Sequence, residues 1–275
     1  LIVKGDKMNK AERIQRIFEI LSTEGNASTK YLAEALSVSE ATIRRDLNDL
    51  SLEGSMPIKR VRGGVVYSIE KLGFEPMFDL KVLKMVEAKK KIAKIALNLV
   101  EDGDTLFLDS GTTIYYFAKL LGSKKGLKVV TVDVKVAEQL AKHPNVKTVL
   151  ACGEVRPGYY SLGGTETVMF LSEFRADKAF ISTDAWNIEG TFNSSNFEVE
   201  IKRKMIELSK TKYLLADHTK YDKDAFIKVT DISVFKAIIT DLPLPTGAVD
   251  NLKRMGVSVL FSGRKDQSQL TSRKQ

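Results

Sequence analysis

Five consecutive residues, Asp109-Ser110-Gly111-Thr112-Thr113, combine the side chains and the backbone freedom that binding a phosphate requires. Gly111 allows a tight turn with close backbone approach, and three hydroxyls can donate. A helix read over Ile114 to Leu121 would aim its free first-turn N–H groups and positive dipole end at the anion. Ser, Gly and Thr also build ordinary turns and caps, so the local pattern leaves the two readings level. A second set joins Glu198 and Lys202, spaced i, i+4 on one helix face, to Asp217 and Lys220 just beyond an apolar run. The first two could be a surface ion pair stabilising by about 0.2–0.5 kcal/mol. The latter two are harder to dismiss, because a carboxylate can handle hydroxyls or protons and an ammonium can stabilise negative charge. The single Cys152 cannot form an internal disulfide, and two histidines without a Cys or Glu cluster argue against a zinc site.

A third set is basic. Ser39 to Gly54, SEATIRRDLNDLSLEG, reads as an amphipathic helix with Ile43, Leu47 and Leu50 on one stripe and Thr42, Arg44, Arg45 and Asn48 elsewhere. Ser39 is its expected N-cap and Gly54 its stop. Upstream, Ser28 to Leu36 reads as another short helix, separated by Ser37 and Val38 from that cap, which is helix-turn-helix spacing. Lys10 to Thr23 supplies a third wall through Ile14, Ile17, Phe18 and Leu21, with Gly25 ending it. Ile58 to Tyr67 then predicts a hairpin wing around Gly63-Gly64, flanked by Lys59, Arg60 and Arg62. Net charge is +8, yet residues 8–66 hold nine basic and eight acidic side chains, so the case for DNA rests on placement. Acidic Glu12, Glu19, Glu24 and Glu34 fall on the first two helices, and five basic residues fall on the recognition helix and wing.

The elements that must position the first two sets begin after a stretch without clean periodicity, Ser68 to Val86, which reads as a hinge. Glu87 to Val100 predicts an amphipathic helix behind a solvated run, Lys89-Lys90-Lys91. From Thr105 onward apolar runs alternate with helical ones, the pattern of a mostly parallel sheet covered on both faces. The expected strands are Thr105 to Leu108, Lys128 to Val132, Thr148 to Ala151, Lys178 to Ile181, Tyr213 to Ala216, Ala237 to Thr240 and Val257 to Phe261. Five of them run into short polar segments: Asp109-Ser110, Asp133, Cys152-Gly153, Asp217-His218 and Asp241. Ligands bind outside the carboxyl ends of strands in such sheets, so these ends gather one candidate pocket.

At 275 residues and 43% hydrophobic content the chain has room for two domains, read as 8–67, a hinge over 68–86, an α/β unit with the candidate pocket over 87–261, and a basic tail over 262–275 read as disordered. No apolar run approaches membrane-spanning length, and Leu1 to Lys7 is too short and polar for a signal peptide and reads as an upstream extension. A cytoplasmic location is the default expectation.

VSEATIRRDLNDL followed by KRVRGGV resembles the winged helix-turn-helix of the DeoR/GlpR family of bacterial transcriptional regulators. The likeness runs from about Asn9 to Phe261: the family's Asp-Ser-Gly-Thr-Thr stretch is at Asp109 to Thr113, its Glu-x-x-x-Lys helix at Glu198 to Lys202, and its Asp-His-Ser-Lys-Phe stretch is similar to Asp217 to Tyr221. This resemblance implies a C-terminal Rossmann-like α/β domain similar to ribose-5-phosphate isomerase that senses phosphorylated sugars. Three stretches depart from the family: Thr131-Val132-Asp133, Cys152-Gly153, and Ser182-Thr183-Asp184-Ala185. Asp133 and Asp184 would repel a phosphate and are expected to face sugar hydroxyls. Trp186 reads as packing. The expectation is an operator-binding repressor of a carbohydrate operon, without cofactor or metal, at least dimeric (dimer or tetramer) because operators present paired half-sites. Its expected effector residues are Asp109 to Thr113, Asp133, Gly153, Glu198, Lys202, Asp217 and Lys220. The rival is an active sugar-phosphate isomerase using Asp133, Asp217 and Lys220. A purely architectural DNA-binding protein would leave over half the chain without a role.

Overall fold

The computed structural model describes residues 8–52, 58–67 and 75–262. Leu1 to Lys7, the Gly54 stop, hinge residues 68–74 and the tail from Gly263 lie outside them. The chain divides into two compact units between Lys81 and Val82.

The first unit comprises α1 (Lys10–Glu24), β1 (Asn26–Ser28), α2 (Thr29–Ala35), α3 (Glu40–Leu52), β2 (Ile58–Val61), β3 (Gly64–Tyr67) and α4 (Phe78–Lys81). A capping box between Asn9 and Glu12 starts α1, and Gly25 ends it in the left-handed region at φ 75°. Phe18, Leu32, Ile43, Leu47 and Val65 meet in its core. Arg13 on α1 grips the buried carboxylate of Asp46 on α3 with two nitrogens, one at 3.0 Å, which fixes the recognition helix against the first helix. β2 and β3 form the expected wing, and β1 completes an antiparallel sheet of order β1-β3-β2. The triplet Asn26–Ser28 buries only Ala27, is too short to be told from a loop by its sequence, and becomes a strand by pairing with β3. Gly64 makes that pairing possible, since a Cβ there would lie 2.5 Å from the Ala27 carbonyl oxygen. The stretch read as an aperiodic hinge holds the short helix α4, which buries Phe78 and Leu80.

The second unit contains α5 (Val86–Leu97), β4 (Thr105–Leu108), α6 (Thr112–Ala118), β5 (Leu127–Thr131), α7 (Val134–Leu140), β6 (Val146–Leu150), β7 (Glu154–Val155), β8 (Leu162–Gly163), α8 (Thr165–Ser172), β9 (Ala176–Ser182), β10 (Ala185–Trp186), β11 (Thr191–Asn193), α9 (Val199–Glu207), β12 (Ser209–Leu215), β13 (Ile227–Thr230), β14 (Ala237–Ile239), α10 (Thr246–Arg254) and β15 (Ser258–Leu260). The seven expected strands form one sheet of order β15-β14-β12-β9-β4-β5-β6, every neighbouring pair parallel. Its two faces carry separate apolar clusters, one with Phe107, Ile181, Trp186 and Leu214, the other with Leu106, Phe117, Phe180 and Leu215. Alternate residues of each strand therefore point into opposite cores, as a doubly covered sheet demands. The hairpin β7-β8 and the antiparallel sheet β10-β11-β13, with strands of two to four residues, are not among the expected strands.

Two expectations need correction. α6 begins at Thr112, so Thr112 and Thr113 are its first turn and not the loop before it. Lys89 is not part of a solvated face: it is buried on α5, and its ammonium donates to the Lys84 carbonyl at 2.6 Å.

Candidate effector site and nucleic-acid interface

Because every strand of the large sheet runs the same way, the polar segments following β4, β5, β9, β12 and β14 emerge on one edge. Asp109 is fully buried there. Its Oδ2 accepts from the Ser182 backbone N–H at 2.8 Å, the Ser182 hydroxyl at 3.1 Å, and the Lys202 ammonium. The single Ser182 hydroxyl proton is shared between Asp109 and the Ser110 carbonyl, 2.7 Å away, tying the Asp109 to Thr113 loop to the end of β9. Gly111, at φ 105°, uses backbone freedom that other residues lack. Ser110, Thr112 and Thr113 are each buried, and the first-turn amides of α6 have no partner within the helix by its geometry.

The reading of Glu198 and Lys202 as a surface ion pair is overturned. Both are buried, and they engage different partners. Lys202 lies on the face of α9 that also buries Ile201 and Met205, and its ammonium reaches Asp109, the Ser182 carbonyl at 3.2 Å and the Ser182 hydroxyl at 3.3 Å. Burial alone would depress this amine, but Asp109, Glu198 and Asp184 outweigh it and hold it above its usual range. Glu198 accepts from the Ser161 hydroxyl, from Arg156 at 3.2 Å and from the Asn193 amide at 3.4 Å. The Arg156 guanidinium stacks on the Tyr159 ring, 3.7 Å from its centre.

Asp217 caps a 3-10 turn, His218–Lys220, accepting from the Thr219 N–H at 3.1 Å and the Thr219 hydroxyl. Burial pushes its carboxyl up, but Lys220, the Thr219 hydroxyl and Lys89 prevail and leave it below the ordinary aspartate value. Lys220 crosses to the end of β9, where its ammonium donates to the Thr183 carbonyl. His218 is fixed by Asp241, which accepts from its backbone N–H and pairs with its Nδ1, each at 2.8 Å.

Asp133 does not face outward to ligand hydroxyls as expected. It is fully buried: one oxygen accepts the Gly111 N–H and the other caps α7 through the Val136 N–H, both at 2.9 Å. Desolvation raises its pKa to about 6 despite these bonds. Asp184 likewise accepts the Ser194 N–H at 2.9 Å. Gly153 has a packing reason, since a Cβ there would sit 2.0 Å from the Thr167 hydroxyl. Trp186 is fully buried beside Tyr221, ring centres 4.8 Å apart. Arg156, Ser161 and Asn193 escaped the sequence reading, and Ser182 entered it only within a stretch that departs from the family pattern, at the end of an expected strand.

In the first unit Ser39 caps α3, its Oγ accepting the Thr42 N–H at 3.1 Å and lying 2.9 Å from the Thr42 hydroxyl. Arg44 pairs with Glu40 at 2.8 Å, while the adjacent Arg45 is exposed. Lys59 and Arg62 are exposed on the wing. Arg60 is exposed as well but leans back against α3, donating to Asn48 Oδ1 at 3.1 Å and the Arg44 carbonyl at 3.4 Å.

The sequence pattern of the DeoR-like helix-turn-helix domain matches residues 13–71, and that of the DeoR C terminal sensor domain matches residues 84–242. An sgc region transcriptional regulator of Escherichia coli (strain K12) is 34% identical over 251 residues, covering 91% of this chain and 96% of that protein. The glycerol-3-phosphate regulon repressor of the same organism is 32% identical, covering 89% and 96%. A structure of ribose 5-phosphate isomerase A from Methanocaldococcus jannaschii overlaps 50% of this chain and 54% of that one with a TM-score of 0.36 and 18% identity, a likeness too distant to inform the site. No helix among the described residues is long and apolar enough to cross a membrane. With family patterns over both units and relatives above 30% identity along nine-tenths of its length, the chain belongs to the DeoR family of transcriptional regulators.

Proposed function

We propose that this regulator is a cytoplasmic repressor of a carbohydrate-metabolism operon, that it binds paired operator half-sites as at least a dimer, and that a phosphorylated sugar or related metabolite controls it without being chemically changed. The observation that supports the effector reading is the convergence, on one edge of the parallel sheet, of three hydroxyls, the open start of α6, and the ammonium groups of Lys202 and Lys220. In this reading Asp109, Asp133, Gly153, Glu198 and Asp217 build the pocket, and Ser110 to Thr113 and Lys220 meet the phosphate. The naming of one relative for the glycerol-3-phosphate regulon is in keeping with a phosphorylated ligand.

Asp133 is poorly placed for the proton transfers of an isomerase, because it is fully buried and both its oxygens accept backbone N–H groups. Asp217 accepts from Thr219 through Oδ1 only, so a turnover assay is what separates a binding carboxylate from a catalytic one. A thermal-shift screen of phosphorylated sugars tests the sensor reading, since a ligand that binds only the folded state raises apparent stability. Turnover of any hit in a coupled aldose–ketose assay sinks the non-catalytic reading. A screen in which no phosphorylated compound raises the unfolding temperature sinks the effector class.

A further inference from the structure

Among the described residues, the buried side-chain polar atoms without a hydrogen-bond partner are four threonine hydroxyls, His143 Nε2, Trp186 Nε1, Asp109 Oδ1 and Asn193 Oδ1. A hydroxyl can rotate towards a neighbouring carbonyl, an imidazole can change tautomer, and an indole N–H is a donor. A carboxylate oxygen and an amide oxygen can only accept. These two obligate acceptors, at 0% and 3% exposure, both belong to the candidate effector site.

Their orientation is chemically fixed. Asn193 directs its Nδ2 to Glu198 Oε2, and because that carboxylate accepts and cannot donate, the amide cannot be turned round. Asp109 commits Oδ2 to Ser182 and Lys202 and leaves Oδ1 over. Glu198 and Lys202, which hold the two groups, are joined by the Lys202 N–H to Glu198 carbonyl bond and so belong to neighbouring turns at the start of α9.

We infer that Asp109 Oδ1 and Asn193 Oδ1 accept hydroxyl groups of the effector, so that the sensor selects for an intact polyol segment as well as for a phosphate. This rests on the sugar-phosphate reading above and adds the residues that discriminate among such ligands. The acceptors do not suit the phosphate end, whose oxygens are themselves acceptors and carry the same charge as Asp109. A ligand ammonium is opposed by Lys202, already bonded to Asp109. A neutral hydroxyl satisfies each oxygen without either conflict, and a ligand lacking it leaves a buried acceptor without a donor.

The test uses the full-length protein in titration calorimetry. Probes are aldose, ketose and polyol phosphates of three to six carbons, the monodeoxy analogues of each that binds, and inorganic phosphate. At least one monodeoxy analogue should bind the unaltered protein roughly 10-fold or more weakly than its parent. Asn193→Ala should reduce that preference while leaving affinity for inorganic phosphate unchanged. The deoxy comparison needs no variant, so a poorly folded Asn193→Ala does not remove the test. If every monodeoxy analogue binds as tightly as its parent, or a folded Asn193→Ala keeps the full preference, hydroxyl reading by these residues is overturned and the sugar-phosphate reading stands. If no phosphorylated probe binds, the sugar-phosphate reading itself fails, and this inference with it.

Discussion

Asp109 and Lys202 are both withdrawn from water, and each makes the other's burial tolerable. Removing one partner of a buried pair leaves a charge without compensation, which typically costs about 3–5 kcal/mol, ten times what a surface i, i+4 pair contributes. Lys202→Met should therefore destabilise the sensor unit by about that amount in urea unfolding, and Asp109→Asn combined with Lys202→Met should cost clearly less than the two single changes summed. A loss below about 0.5 kcal/mol for Lys202→Met would return the residue to the surface role its spacing suggested. Asp133 yields a prediction in pH. Its folded carboxyl titrates near 6 against an ordinary 3.8, so between those values the folded protein holds a proton that the unfolded chain has released. Its stabilising contribution is present at low pH and is lost as pH rises through about 6. Between pH 4.5 and 7 this amounts to about 2 kcal/mol. Asp133→Ser, which keeps a capping oxygen for α7, should flatten that part of the stability profile; an unchanged profile would show that Asp133 titrates normally.

At the scale of elements, the wing and the recognition helix are one piece, not two independent sources of charge. The sequence sets Arg60 beside Arg62 on the wing, yet the Arg60 guanidinium is held by Asn48 and the Arg44 carbonyl. Arg62→Ala should lower the slope of log affinity against log salt by ~0.9 for each phosphate it no longer neutralises, at every DNA sequence. Arg60→Ala should leave that slope nearly unchanged and weaken operator binding by loosening the wing, and Asn48→Ala should reproduce part of the loss. In a double-mutant cycle the pair should show a coupling of ~0.5 kcal/mol or more. Equal salt slopes for Arg60→Ala and Arg62→Ala, with no coupling to Asn48, would make both arginines simple phosphate binders.

For the whole molecule, control of DNA by a ligand requires that the ligand distinguish two states of the protein. The connection between the units runs through 68–86, which begins outside the described residues and then enters α4. A coupling of ~1–3 kcal/mol would change operator affinity by roughly 5–150-fold, and operator DNA must then change effector affinity by the same factor. Trp186, the single tryptophan, packs on Tyr221 directly after Lys220 and offers a fluorescence signal for titrations with and without DNA. Thr112→Val and Lys220→Ala should weaken effector binding and leave effector-free operator affinity intact, because both residues lie in the second unit. Identical effector Kd values with and without operator would end the model of this chain as a ligand-controlled switch.

The sequence by itself determined the elements whose pattern is local and repeated. Ile43, Leu47 and Leu50 at helical spacing specified α3, the Gly63-Gly64 turn specified the wing, and seven apolar runs specified the strands of the large sheet. The parallel direction of those strands then implied which loops share an edge, so Asp109 to Thr113, Asp217 and Lys220 could be grouped from sequence alone. Only the tertiary structure decided who bonds to whom within the group. Lys202 meets Asp109 across 93 residues and Glu198 meets Ser161 across 37, separations at which no local spacing rule acts. The same holds for β1, which becomes a strand because β3 lies beside it, and for Lys89, whose position in a run of lysines says nothing of what packs over it. A side chain's period follows from the backbone of its own element, whereas its burial and its partner follow from elements that the rest of the chain brings to it.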